Sequence, residues 1–135
     1  MITPRCDDKG SATLELAILA PALLALLGLV IAAGRIEVAA GAVEQAASAA
    51  ARDASIARTA SAARAVATDT ARDSLLSQGI TCGVLDVAVD IAGFSVTAGL
   101  PAQVNVSVAC TVPLSDLAVP GMPGTRTLKA HMASS

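Results

Sequence analysis

Lys9-Gly10-Ser11-Ala12-Thr13-Leu14-Glu15-Leu16 runs directly into Ala17-Ile18-Leu19-Ala20-Pro21-Ala22-Leu23-Leu24, and the order of these residues decides how the chain is built. From Leu16 to Gly34 nineteen residues carry no charge. A helix of that length rises roughly 28 Å, close to the hydrocarbon thickness of a bilayer, so residues 11–34 are predicted to form a transmembrane helix. Glu15 is out of place at its edge. A charge at the centre of a membrane helix costs about 2.5–3.5 kcal/mol on insertion scales, so a carboxylate here points to a partner. Pro21 lies inside the span. It removes one donor and crowds the preceding turn, which membrane helices tolerate when the freed carbonyl, here that of Ala17, finds another partner. A local kink is the expectation at Pro21.

A short polar leader, then Gly10, then Glu15 with Leu16-Ala17, Pro21, and a Leu-rich run closing at Gly28 and Gly34-Arg35 resembles the processing region of type IV pilin-like proteins. The closer resemblance is to the TadE-like minor pseudopilins of tight-adherence (Flp/Tad) pili, and it is clearest over residues 9–36. The remainder is similar to that family only in layout. The resemblance implies that a prepilin peptidase cuts between Gly10 and Ser11. Ser11 then carries the new α-amino group and Glu15 becomes the fifth residue. Four residues apart on a helix is one face, so the carboxylate can meet that amine or a neighbouring subunit's. The implied partners are the peptidase, other pilus subunits, an inner-membrane assembly platform and the lipid bilayer.

The leader holds Arg5 and Lys9 beside Asp7 and Asp8, and Arg35 and Arg52 follow the span. Lys and Arg, not net charge, set orientation, and they favour a leader inside and the rest outside. The expected location is the cytoplasmic membrane, single-pass, with an extracytoplasmic C-terminal domain. Two other readings stay open: an ordinary secretory signal leaving at Ala32-Ala33-Gly34, and an uncut anchor.

Beyond the membrane the chain changes character twice. Residues 35–78 are Ala-rich without proline and read as one extracytoplasmic helix continuing the span, ended by Gly79. Ile36, Ala40, Val43, Ala47, Ala50 and Ala54 form an apolar stripe, extended by Ile56, Ala60, Ala63, Val66 and Ala67. Glu37 and Glu44 are expected to face solvent. From residue 79 to 135 the period becomes twofold. Leu85, Val87, Val89 and Ile91 alternate with Asp86, Ala88 and Asp90; Val104, Val106, Val108, Cys110 and Val112 alternate with polar or small residues. These are half-buried antiparallel strands. A loop from Gly93 to Pro101 is expected to hold a short strand at Phe94–Ala98. Pro113, Pro120, Gly121, Pro123 and Gly124 are expected to form a second loop, and Thr125–Met132 is a candidate last strand. The expected fold is therefore α+β and pilin-like: a long N-terminal helix packed on about three antiparallel strands. Residues 1–10 are the leader.

Cys82 opens the first strand and Cys110 lies on the apolar face of the second, so a disulfide between them is the expectation, with two buried thiols as the alternative. Cys6 precedes the cut and would leave with the leader. A lipoprotein anchor is excluded because Cys6 stands before the apolar run.

The 135 residues are 54% hydrophobic with no Trp or Tyr and one Phe, so any core is made of small side chains. With a formal charge of −2 and no basic cluster, nothing points to nucleic acid. Phosphate loops, calcium loops and zinc spacings are missing from the sequence, and no cofactor is expected. His131 is the only histidine and reads as a surface residue. No Ser/His/Asp set forms, and Asp86 with Asp90 reads as a solvated pair, so no enzyme is expected. A structural and assembly role in a pilus leads. The alternative is a membrane-anchored or secreted binding module, with Phe94 and Leu100 as its contacts.

Overall fold

Alanine makes helix the default conformation from the N-terminus onward. The computed structural model describes residues 9–97, 100, 102–117, 121 and 123–135, of which 9–13 by backbone only, and it opens with the 47-residue helix α1, Lys9–Ser55. Helix α2 spans Ala60–Ser77. Strand β1 (Val84–Asp90), a 3-10 turn (Ala92–Ser95), β2 (Val104–Pro113), the single turn α3 (Leu114–Leu117) and β3 (Thr125–Ser134) follow. Most of the leader, with Arg5, Cys6, Asp7 and Asp8, lies outside the described residues, as do Ala98, Gly99, Pro101 and Pro120.

The fold is α+β, with a long apolar N-terminal helix on a three-stranded antiparallel sheet of order β1-β2-β3. Leu85 faces Cys110, Val87 faces Val108 and Val89 faces Val106 across one pairing. Cys110 faces Leu128, Val108 faces Ala130 and Val106 faces Met132 across the other. One sheet face is therefore continuous and apolar. The outer half of α1 covers it over β2 and β3, and α2 covers it over β1. On the central strand Val104, Val106, Val108, Cys110 and Val112 are buried, whereas the edge strand β1 leaves Leu85, Val87 and Val89 half-buried.

The single helix expected over 35–78 is two. Ser55 turns its hydroxyl back to donate to the Arg52 carbonyl at 2.7 Å. Thr59 is extended (φ −136°, ψ 152°), and its hydroxyl accepts from the Ala62 amide, which caps α2. The reason for the break is tertiary. Folding back buries Ala63, Ala67, Ala71 and Leu75 completely, a surface that a straight continuation would leave in water. Because the period restarts at the cap, the predicted extension of the α1 stripe holds only in part: Ala63 and Ala67 are buried and Ala60 is half-buried, but Ile56 and Val66 are not covered. Ile56 is 80% exposed and Val66 39% exposed. On α1 the predicted stripe does pack, with Val43, Ala47, Ala50 and Ala54 buried and Ile36 and Ala40 half-buried, joined by Ala39, Ala42, Ala46 and Ala51.

Gly79 does end α2, at φ +74°, a left-handed conformation in which a side chain is strained. Its amide reaches the Leu76 carbonyl at 3.0 Å and the Ile80 amide reaches Leu75 at 2.9 Å, the paired bonds of a Schellman cap. Of the short strand expected at Phe94–Ala98, Phe94 and Ser95 belong instead to the 3-10 turn, Val96 and Thr97 form no strand, and Ala98 lies outside the described residues. Gly93 is needed in that turn because an added Cβ would lie 2.6 Å from the Gln103 carbonyl oxygen.

Candidate functional site

From Leu14 to Ile31 every Leu, Ile and Val is 52–70% exposed. Burying one such side chain is worth about 1.5–3 kcal/mol. Eleven of them in water would cost on the order of 20 kcal/mol, more than the roughly 5–15 kcal/mol that holds a domain together. This half of α1 needs an apolar surrounding that the chain itself does not supply. It is long and apolar enough to cross a membrane, and none of its apolar window is buried within the molecule. The structure is thus compatible with a single-pass membrane anchor at the N-terminus.

At the polar entry of this helix the backbone is already helical from Lys9, so Gly10, Ser11 and Glu15 lie within the first two turns. Glu15 is exposed, flanked by exposed Leu14 and Leu16. Ser11 and Glu15 are one turn apart, about 6 Å along the axis, which places them on one face. Pro21 sits inside α1 and the helix continues through it. The Ala17 carbonyl loses the amide it would otherwise accept from, because proline has no N–H. Gly28, Gly34 and Gly41 open onto empty space, where an added Cβ meets nothing within 4 Å. Packing among the described residues does not require them.

Two of the cysteines meet as expected. Cys82 and Cys110 form a disulfide with a Cα–Cα distance of 5.3 Å at a sequence separation of 28, tying the approach to β1 onto the central strand. Closing a loop of that size stabilises by about 3–4 kcal/mol in the chain-entropy model. Against a core in which Leu75 and a few Val are the largest fully buried side chains, this is a major share.

The uncovered sheet face is polar. Ser107 and His131 face each other across β2 and β3, with Oγ 2.6 Å from Nδ1. The Thr111 and Thr127 hydroxyls lie 2.9 Å apart in the same way. Both are cross-strand pairs that fix register on an exposed surface. Asp86 opposes Ala109 rather than His131's partner, so the Ser–His pair has no carboxylate in its own register row. Asp90 accepts from the Ala92 amide at 3.0 Å and shapes the turn after β1.

Two concavities mark the ends of the domain. One, of about 600 Å³, lies where α1 leaves its apolar segment and is lined by Arg35, Gln78, Asp116 and their neighbours. The other, about 530 Å³, lies at the far end among Ser55, Ala57, Phe94, Val104 and Ser135. Phe94 is half-buried against the core and acts as a packing anchor, while Leu100 is 63% exposed. The sequence marks Arg35 as the first charge after the uncharged run, but its place beside the same concavity as Asp116 depends on tertiary folding.

Residues 10–52 match a family model described as TadE-like protein, the family that the N-terminal residues resemble. The match covers nearly all of α1 and leaves α2 and the sheet outside it. No curated protein and no solved structure matches the chain.

Proposed function

We propose, from the TadE-like character of residues 10–52, that this chain serves a Tad pilus system as a minor pseudopilin, a structural and assembly component and not an enzyme. The observation that carries the reading is the two-part helix α1. Its outer half is the spine of a folded domain and its inner half is bare, apolar and headed by Gly10, Ser11 and Glu15. A subunit of this shape can wait in a bilayer and then exchange lipid for the apolar core of a fibre without refolding.

In this mechanism the leader stays in the cytoplasm and a prepilin peptidase cuts the Gly10–Ser11 bond. The carboxylate of Glu15 pairs with the freed Ser11 amine, its own or a neighbour's. A buried charge without a partner is strongly destabilising, so the pair lowers the cost of moving this end into apolar surroundings. Gly28, Gly34 and Gly41 let a neighbouring backbone approach α1 closely. The extracytoplasmic domain then caps or primes the pilus together with other subunits and the inner-membrane assembly platform.

The test is the mature N-terminus of protein taken from its native membrane, by intact mass and terminal peptide sequencing. A start at Ser11 with α1 retained is the expected result. A start at Arg35 would make this an ordinary secreted domain, and an intact Met1 would favour an anchored binding module using the far-end concavity at Phe94.

A further inference from the structure

The concavity at the base of the domain is lined by three elements that the sequence keeps far apart. Ile31, Gly34, Arg35 and Val38 come from α1 at steps of three, one and three residues, which is one helical face. Gln78 comes from the C-terminal cap of α2, and Asp116 from α3, whose neighbour Leu117 is buried and holds that turn in place. The groove encloses about 600 Å³. Its floor is open at Gly34, where an added Cβ would meet nothing within 4 Å.

Its depth is fixed by the span. The uncharged run ends at Gly34, so Ile31 lies at the last turn of hydrocarbon and Arg35 at the level of lipid headgroups. The groove is therefore continuous with the bilayer surface. Its walls carry opposite charges: a guanidinium on α1 and a carboxylate on α3, with the Gln78 amide between the helices. A simple anion would meet Asp116 unfavourably, and a simple cation would meet Arg35 unfavourably. A zwitterion satisfies both.

We infer that this groove holds the headgroup of an ethanolamine phospholipid. Its phosphate lies against Arg35, whose planar fork suits two phosphate oxygens. Its primary ammonium donates to the Asp116 carboxylate and the Gln78 side-chain oxygen, and an acyl chain descends along Ile31. The lipid fills the gap between the membrane and the overhanging turns and sets the angle at which the domain stands on the bilayer. This inference rests on residues 16–34 spanning the membrane and is independent of the pilus assignment.

The experiment uses the full chain purified in mild detergent and offered equal amounts of ethanolamine, choline and glycerol phospholipids with the same acyl chains. Native mass spectrometry reads which lipids stay bound. The ethanolamine lipid is expected to be retained about fivefold over either competitor, the scale of a partly exposed charged contact. Asp116→Asn is expected to abolish the preference over the glycerol headgroup, and Gly34→Leu to lower retention of all three lipids. Intact mass with the disulfide in place checks folding of each variant. Equal retention of the three lipids by the unaltered chain overturns the inference, as does an undiminished preference in Asp116→Asn or a preference for the glycerol headgroup. Flotation with vesicles separates the two claims. A chain that floats without lipid preference spans the bilayer but lacks the headgroup site, and a chain that does not float loses both.

Discussion

In the assembly mechanism proposed above Glu15 is the deciding residue, a carboxylate set between two exposed leucines at the start of an apolar helix. Glu15→Ala removes the charge and leaves the nineteen uncharged residues untouched, so membrane insertion is expected to stay at the unaltered level. Incorporation into a pilus is expected to be lost, read by immunoblot of sheared filaments against membranes. Normal incorporation of the variant would remove Glu15 from the mechanism. Thr59 is the matching residue for the fold. Its hydroxyl accepts from the Ala62 amide, and without it that amide has no capping partner. Thr59→Ala is expected to lower stability by about 1 kcal/mol, visible as a lower denaturation midpoint with unchanged slope.

Within α1, one unbroken 47-residue element does two jobs, and the boundary between them is set by side-chain size. Leu and Ile crowd the inner half, where lipid or a fibre core can surround them. Ala dominates the outer half, where a second helix and a sheet must pack closely. The two helices pack on each other, and the buried positions of both are mostly alanines, among them Ala46, Ala50, Ala63 and Ala67, each fully buried. Alanine interfaces leave no spare volume. Ala67→Leu is therefore expected to cost about 1–3 kcal/mol by overpacking, whereas Ala65→Leu, on the exposed face of α2, should stay within about 0.5 kcal/mol of the unaltered chain. Thermal unfolding of the pair discriminates them, and equal effects would mean that α2 does not pack on α1 through this face.

The molecule as a whole joins an exposed apolar helix, long enough to cross a membrane, to a small domain that is poor in large side chains. Such a core yields little burial energy per residue, and the Cys82–Cys110 bond compensates by restricting the unfolded chain. In a fragment of residues 36–135, replacing both cysteines by serine is expected to cost about 3–4 kcal/mol. The disulfide-bonded fragment is expected to be soluble and monomeric by light scattering, since the exposed apolar stretch from Leu14 to Ile31 is gone. Aggregation of the oxidised fragment would place essential packing within the removed segment. On the full chain, the open polar sheet face and the covered apolar face give the domain one side for its own helices and one for solvent.

The sequence by itself determined the elements whose cause is local. Nineteen uncharged residues make a helix long and apolar enough to cross a membrane, alternation of Val with small or polar residues makes β2, Gly79 stops α2 at a left-handed φ, and residues 10–52 carry the TadE-like match. Each follows from neighbours within a few positions. The pairing of Cys82 with Cys110 was also within reach, since Cys82 stands just before the first strand and Cys110 lies on the apolar face of the second. Only the tertiary structure decided where the long helix turns back. Alanine favours helix equally on either side of Ile56–Thr59, so local propensity is silent there, and burial of Ala63, Ala67, Ala71 and Leu75 fixes the break. It alone also turned Phe94 toward the core and brought Arg35, Gln78 and Asp116 around one groove, because contacts between residues 43 and 81 positions away from one arginine arise from packing and leave no periodic trace in the chain.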